Sequence, residues 1–266
     1  MPVAGHNAKT PPAPLVPLEI MPAPKRLLLA LLAALPCAAS LHAGPPFVSD
    51  DPEPTAAGHW EIYGFAAGTH VAGETEGSGG FDINYGGAKD LQLTAVVPVG
   101  YETGAGDTVG LGNIELAAKY KFVHQADGSL LPDIAFFPRA FVPTAGRRFG
   151  TRRLSFLLPL WAQKDLGKWS VFGGGGYDIN PGRGQRDFWL MGIGVQRAVS
   201  DRFALGAEIY RQTADADDAR RFTGVNFGAL YRVSAHWSLI GSAGPGIEHA
   251  GTEGHYSFYL ALKADY

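Results

Sequence analysis

The sequence predicts an all-β protein: an antiparallel up-and-down transmembrane β-barrel of about twelve strands, with ten or fourteen as the alternatives. Three observations predict it. The last residues, HYSFYLALKADY (255–266), put Phe258, Leu260, Leu262, Ala264 and Tyr266 on one side of an extended chain and Ser257, Lys263 and Asp265 on the other. A composition with 36 Gly, 15 Phe, 10 Tyr and 5 Trp suits many short strands and turns. No stretch has the roughly 20 apolar residues of a spanning helix, so a membrane location requires a sheet closed on itself with every edge paired.

Residues 1–20 are Pro-rich and precede Met21, which reads as the start; they are expected to be a disordered upstream extension. Residues 21–43 read as a secretory signal peptide. Lys25 and Arg26 give the positive start, Leu27 to Leu35 the apolar core, and Ala43 the small residue at the cut. The one cysteine, Cys37, falls inside it, so the exported chain has no disulfide framework or thiolate metal site. Residues 44–58, GPPFVSDDPEPTAAG, hold four prolines and no periodicity, and are expected to form a periplasmic leader outside the sheet. The barrel is assigned to residues 59–266. A net charge of −3 with 18% charged residues offers no basic stripe for phosphates and excludes nucleic acid as a partner.

Taken in order, the segment 59–71 sets Trp60 and Ile62 against Glu61, Tyr63 and Phe65. In 78–86, Phe81, Ile83 and Tyr85 oppose Asp82 and Asn84; in 90–101, Leu91, Leu93, Val97 and Val99 oppose Gln92 and Thr94. The clearest segment is 109–123, where Ile114, Leu116, Ala118, Tyr120 and Phe122 oppose Asn113, Glu115, Lys119 and Lys121. That second face cannot meet lipid, because a lysine or arginine at bilayer depth costs about 2–4 kcal/mol. Segment 132–142 isolates Arg139 on one side. Segment 153–164 is apolar on both faces, with Leu157 and Trp161 alternating with Phe156, Leu158 and Leu160, which argues against a wide watery lumen at its level. Four glycines in a row, Gly173 to Gly176, interrupt 168–180 and suggest a sharply coiled wall. The segments 187–199, 202–212 and 222–233 continue the pattern, with Gly192, Gly194, Glu208, Asn226 and Arg232 on the polar side. Segment 236–248 is Gly-rich, and 255–266 is the last strand. Bacterial outer-membrane barrels end in such a strand, which their assembly machinery reads; Phe258, Leu260, Leu262 and Tyr266 are the candidate signal.

Counted back from the C-terminus, the short links VSAHW, VSDR, DLGKW and GGAKD alternate with longer polar ones such as TADADDAR and NPGRGQR, with HQADGSL the exception on the short side. Short turns belong to the periplasmic side and long loops to the outside, and an even strand count puts both termini in the periplasm of a Gram-negative cell. Trp60, Tyr120, Phe122, Trp169, Tyr177, Trp189, Tyr231, Trp237 and Tyr266 bunch near segment ends. Singly each is an ordinary strand-end aromatic; together they match interfacial girdles.

At GLGNIELAAKYKF (Gly110 to Phe122) the chain resembles a family of outer-membrane transporters named after the meta-cleavage pathway of phenol degradation. Members carry a Gly-x-Gly-Asp-x-Glu-x-x-x-Lys-Tyr-x-Phe strand, and Asn113 stands where they have the aspartate. The resemblance extends to PPFVSDDPEPTAAGHWEIY, INYGGAKDLQLTAVVPVGYE and FVPTAG. It implies a barrel that passes small, often aromatic or hydrophobic, compounds across the outer membrane.

The inward set Glu61, Asp82, Asn84, Glu115, Lys119, Arg139, Glu208, Asn226 and Arg232 is the candidate lumen lining, where it would set charge selectivity. The plainer reading is that these charges pair and fill the interior, as in small barrels. No enzyme chemistry is legible: His255 and Ser257 lack an orienting third group, the other histidines lack metal-ligand spacing, and no cofactor is implied. The expectation is a monomeric channel for passive passage of a small solute, with outer-membrane lipid, lipopolysaccharide and the barrel-assembly machinery as its other partners. A basic loop with Arg147, Arg148, Arg152 and Arg153 could meet lipopolysaccharide. The rivals are a non-conducting barrel with a structural or ligand-binding role, and a soluble secreted β protein.

Overall fold

The computed structural model describes residues 46–104, 106–126, 128–146, 148–150, 152–248 and 254–266. The upstream extension, the signal peptide and Arg147 lie outside the described residues. The period-two pattern becomes fourteen strand segments: β1 Trp60–Val71, β2 Glu74–Ala88, β3 Leu91–Thr103, β4 Thr108–Leu111, β5 Ile114–Val123, β6 Asp133–Phe136, β7 Arg139–Val142, β8 Ser155–Leu166, β9 Trp169–Ile179, β10 Phe188–Ser200, β11 Phe203–Gln212, β12 Phe222–Arg232, β13 Trp237–Pro245 and β14 Tyr256–Asp265. Among the described residues there is no helix.

Fourteen segments make twelve staves. Both β4 and β5 pair with β3, forming one stave broken at Gly112 and Asn113. Both β6 and β7 bridge β5 to β8, forming another broken at Phe137 and Pro138. Every stave runs antiparallel to the next in sequence, and β14 closes on β1 with Glu61 opposite Asp265 and His70 opposite Tyr256. The last residue is part of this seam: Trp60 and Tyr266 exchange backbone hydrogen bonds of 2.8 and 3.0 Å. The twelve-stranded, closed, up-and-down barrel expected from the sequence is what forms.

The sheet is inverted relative to a soluble protein. Phe81 (60% exposed), Leu93, Leu116, Ile193, Phe227 (63%), Leu260 and Leu262 point outward, while Gln92, Thr94, Glu115, Lys119 and Asn226 are buried inside. An exterior this apolar is stable only against an apolar surround. At the end with the short turns the belt is rimmed by Trp60, Tyr120, Phe122, Trp169, Tyr231, Trp237 and Tyr266, all exposed. Tyr177 and Trp189 pair at 5.1 Å near the end with the long loops. The four-glycine run does bring backbones close: a Cβ on Gly176 would lie 2.7 Å from Pro159 Cα.

Tight turns set the short end. Asp90 (φ 63°) and Gly167 (φ 67°) take the left-handed conformation that these two-residue links need. One tight turn sits at the opposite end, where Ala72 and Gly73 (φ 53° and 91°) join β1 to β2; the second stave therefore begins at Glu74, four residues earlier than the polarity pattern suggested.

Candidate functional site

The lumen is occupied by the chain's own leader. The sequence reading put residues 44–58 outside the sheet in the periplasm; the structure places 46–55 inside the barrel, while 44 and 45 lie outside the described residues. The leader joins no ladder beyond a single bridge between Ala57 and Gly86, yet Pro46, Phe47, Ser49, Asp50, Pro52, Pro54 and Thr55 are all buried within the barrel. The reason is physical. Prolines remove the donors a ladder needs, but the wall behind holds cations that cannot stay buried without counter-charges.

From Trp60 at the short-turn end the leader climbs along one wall and then crosses. Thr55 donates its backbone N–H to Gln92 Oε1 (2.8 Å), and Gln92 donates in turn to Asn84 Oδ1 (2.7 Å). Lys121 donates to Glu53 Oε2 at 2.6 Å. Asp50, 2% exposed, sits between two cations, with Lys119 Nζ 3.1 Å from Oδ1 and Arg139 Nη2 3.1 Å from Oδ2. The Phe137 ring lies under both cations, 4.8 Å from Lys119 Nζ and 4.4 Å from the Arg139 guanidinium carbon. This aromatic comes from the break between β6 and β7, the kind of irregularity that re-aims side chains.

On the far wall the leader is held differently. Glu208 accepts the backbone N–H groups of Val48 (2.7 Å) and Ser49 (2.8 Å) and the Asn226 side-chain amide (2.8 Å). Three donors replace a counter-cation around this buried carboxylate. Phe47 packs tilted against Phe172, ring centroids 5.4 Å apart, and fills a socket whose floor is glycine: a Cβ on Gly206 or Gly228 would meet its ring at 2.8 or 2.7 Å. Ser242 donates to the Pro46 carbonyl.

At the end with the long loops a second closure forms. Phe149 is buried against Gly100 and Gly110, and Arg148 pairs with Glu102 at 2.6 Å. Between the leader and the charged wall remains a cavity of about 70 Å³. That holds about two waters, and less than half of the ~150 Å³ in which benzene is known to fit.

Of the nine candidates for the lining, eight face the interior. Glu61 pairs with Lys263 at 3.2 Å, Asp82 accepts from Asn84 at 2.9 Å, and Glu115, 1% exposed, lies 3.7 Å from Arg139 Nε. Lys119, Arg139 and Asn84 gather on the charged wall, and Glu208 and Asn226 on the opposite one. Arg232 does not join them. It has the inward parity but is the last residue of β12, exposed at the rim and donating to the Asp201 carbonyl at 3.4 Å. Ser257 donates to Asn226 Oδ1 (2.9 Å), and His255 stacks on Phe222 with ring centroids 4.2 Å apart. Leu260 and Leu262 of the terminal strand face the belt, and Tyr266 ends it at the rim. Sequence reasoning missed Asp50, Phe47 and the socket. The available signals were three carboxylates in the leader matching Lys119, Lys121 and Arg139, and glycines recurring at inward positions of β10, β11 and β12.

Comparison with solved structures supports the fold. The chain is similar to the COG4313 outer membrane channel from Pseudomonas putida F1, at 16% identity with a TM-score of 0.64, over 85% of this chain and 100% of that one. It is also similar to the NanC porin (8% identity, TM-score 0.50, 75% and 98% covered). A third likeness is to the translocator domain of the autotransporter NalP from Neisseria meningitidis (12%, 0.50, 91% and 94%). No curated protein sequence matches the chain. The family described as "Putative MetA-pathway of phenol degradation" matches residues 46–263, from the buried leader to the last stave, and the chain belongs to that family.

Proposed function

We propose that the protein is an outer-membrane channel through which a small solute passes without energy input, and that the leader is its resident plug. The observation that carries this reading is the leader itself. It is a segment outside the sheet, held by side-chain and backbone hydrogen bonds from the wall, so it can leave without breaking a strand ladder. A barrel meant only as scaffold would be expected to fill its interior with wall side chains. In this reading the apolar belt sits in the outer membrane, the short turns and both strand termini are periplasmic, and the last strand is recognised by the assembly machinery. Arg152 in the long loop is the candidate contact for lipopolysaccharide phosphates, whereas Arg148 is already engaged by Glu102.

The lining supports a solute with an aromatic or apolar body. Phe137, Phe141, Leu157, Trp161, Phe172, Phe188 and Leu190 are buried on the interior side of β6 to β10 and its connections. The small cavity favours the second reading, a barrel that stays closed and binds rather than conducts. Planar-bilayer recording and liposome swelling separate the two. The channel reading expects ohmic single-channel currents that grow when residues 46–56 are deleted from the exported chain. Deleted protein that is folded by heat-modifiable gel mobility yet electrically silent would leave only the second reading.

A further inference from the structure

Three cations of the charged wall, Lys119, Lys121 and Arg139, have their closest partner in the leader and not in the wall. Lys119 Nζ meets Asp50 at 3.1 Å and Asp51 at 3.7 Å, and Lys121 meets Glu53 at 2.6 Å. Arg139 meets Asp50 at 3.1 Å, with Glu115 a further 3.7 Å contact. The wall's own acids are served from within the wall: Lys263 pairs with Glu61 and Asn84 donates to Asp82. Withdrawal of the leader therefore takes from Lys119 and Lys121 the carboxylates they pair with and leaves Arg139 with the 3.7 Å contact to Glu115, with Asp82 a further acid lining the same cavity. Arg139 keeps a further unused donor, because its buried Nε makes no hydrogen bond even with the leader in place.

The geometry points to Asp50 as an internal stand-in for a carboxylate of the solute: we infer that the channel takes organic carboxylates with an aromatic body, and that such an anion displaces Asp50 from Lys119 and Arg139 to release the plug. The inference rests on the channel reading and names its solute class. The site has the parts such a ligand needs. Two cations clamp the two oxygens of one carboxylate from different strands, and the Phe137 ring lies within 5 Å of both. A carboxylate bound by charged donors gains roughly twice what a neutral amide would from the same geometry. The exchange is balanced in charge: one carboxylate leaves the clamp as another arrives, so neither cation is left bare in the low-dielectric interior. A neutral ring compound cannot make this exchange, since removing Asp50 without replacement takes from Lys119 and Arg139 the one carboxylate that both hold at 3.1 Å.

The experiment compares sodium benzoate with benzamide, which has the same ring without the charge, on the purified full-length mature protein in planar bilayers and swelling liposomes. Benzoate is expected to raise the open probability and to permeate roughly tenfold or more faster than benzamide, as the loss of one charged hydrogen bond implies. Asp50→Asn is expected to raise the open probability without benzoate and to abolish the benzoate response. Because Asp50 lies in the leader, this variant leaves the strand ladders intact, which heat-modifiable mobility checks. Arg139→Gln in the leader-deleted barrel is expected to bring benzoate permeation down toward that of benzamide. If the leader-deleted barrel conducts but neither it nor the full chain distinguishes benzoate from benzamide, the carboxylate assignment is wrong and the channel reading stands. If the leader-deleted barrel is folded and silent, both fall.

Discussion

Staves from β1 to β7 and staves from β8 to β13 line the same lumen with different chemistry, and the leader is written to match both. The first wall presents Glu61, Asp82, Gln92, Thr94, Glu115, Lys119, Lys121 and Arg139, and against it lie Asp50, Asp51 and Glu53 of the leader. The second presents Gly192, Gly206 and Gly228 with aromatic neighbours, and against it lie Phe47, Val48 and Ser49. One wall holds the leader by charge, and the other by shape and two backbone amides. Charge placed in the low-dielectric interior is strong only while it is paired. A glycine socket holds an apolar ring by shape, so it does not depend on the charge pairs opposite and is intolerant of an added methyl. The same segment is thus held by two independent devices that respond to different perturbations.

Deleting residues 46–56 removes both devices and carries the largest expected effect. Single-channel conductance should rise and the gating transitions of the full chain should disappear, with unboiled gel mobility unchanged. Asp50→Ala attacks the charged wall alone. It leaves Lys119 with only Asp51 and Arg139 with only Glu115, each at 3.7 Å, which destabilises the plugged state by about 3 kcal/mol, the low end for a broken buried pair. Open probability should climb steeply, and hydrogen exchange at the Val48 and Ser49 amides should accelerate with it.

Gly228→Val attacks the socket alone. Its Cβ would come 2.7 Å from the Phe47 ring, and overpacking of this kind costs about 1–3 kcal/mol, a smaller opening than the charge variant gives. The two effects should add if the walls act independently, and a double variant measured by open probability checks that. The smallest effect is expected outside the lumen, at the turn between β2 and β3. A hydrogen bond from His124 Nε2 (2.9 Å) holds the Asp90 carboxyl below its usual 3.8. A lowered carboxylate stabilises the fold above its unfolded value, and that contribution fades as pH falls through the lowered one. His124→Ala should let the Asp90 titration move back up, read by NMR, with no change in conductance at neutral pH.

The difference between the walls also marks what was legible in the chain. Faces were legible because side chains alternate strictly along a strand, so Glu115, Lys119 and Arg139 were placed inside from the pattern alone. Depth was not: parity puts Arg232 on the inner face, but nothing local says that it is the last residue of its strand. The break at Pro138 was invisible because the flanking pieces keep the same face, whereas at Gly112 the outward parity slips by one, from Val109 and Leu111 to Leu116 and Tyr120. The leader was the largest miss. Its partners are remote, with Val48 and Glu208 separated by 160 positions, and a Pro-rich segment without period carries no local sign of where it lies. Its role can be read only by pairing its carboxylates with cations on strands far along the chain, a match of charge and not of spacing.

The most direct test of the plug is to tie it shut. A Cβ on Gly192 would fall against Ser49 Oγ, so cysteines at these two positions are within reach of a disulfide. In the Asp50→Asn background, the pair Ser49→Cys with Gly192→Cys should be silent in a planar bilayer when oxidised and should open on adding reductant. Equal currents in the oxidised and reduced states, with the crosslink verified by mass spectrometry, would contradict the account.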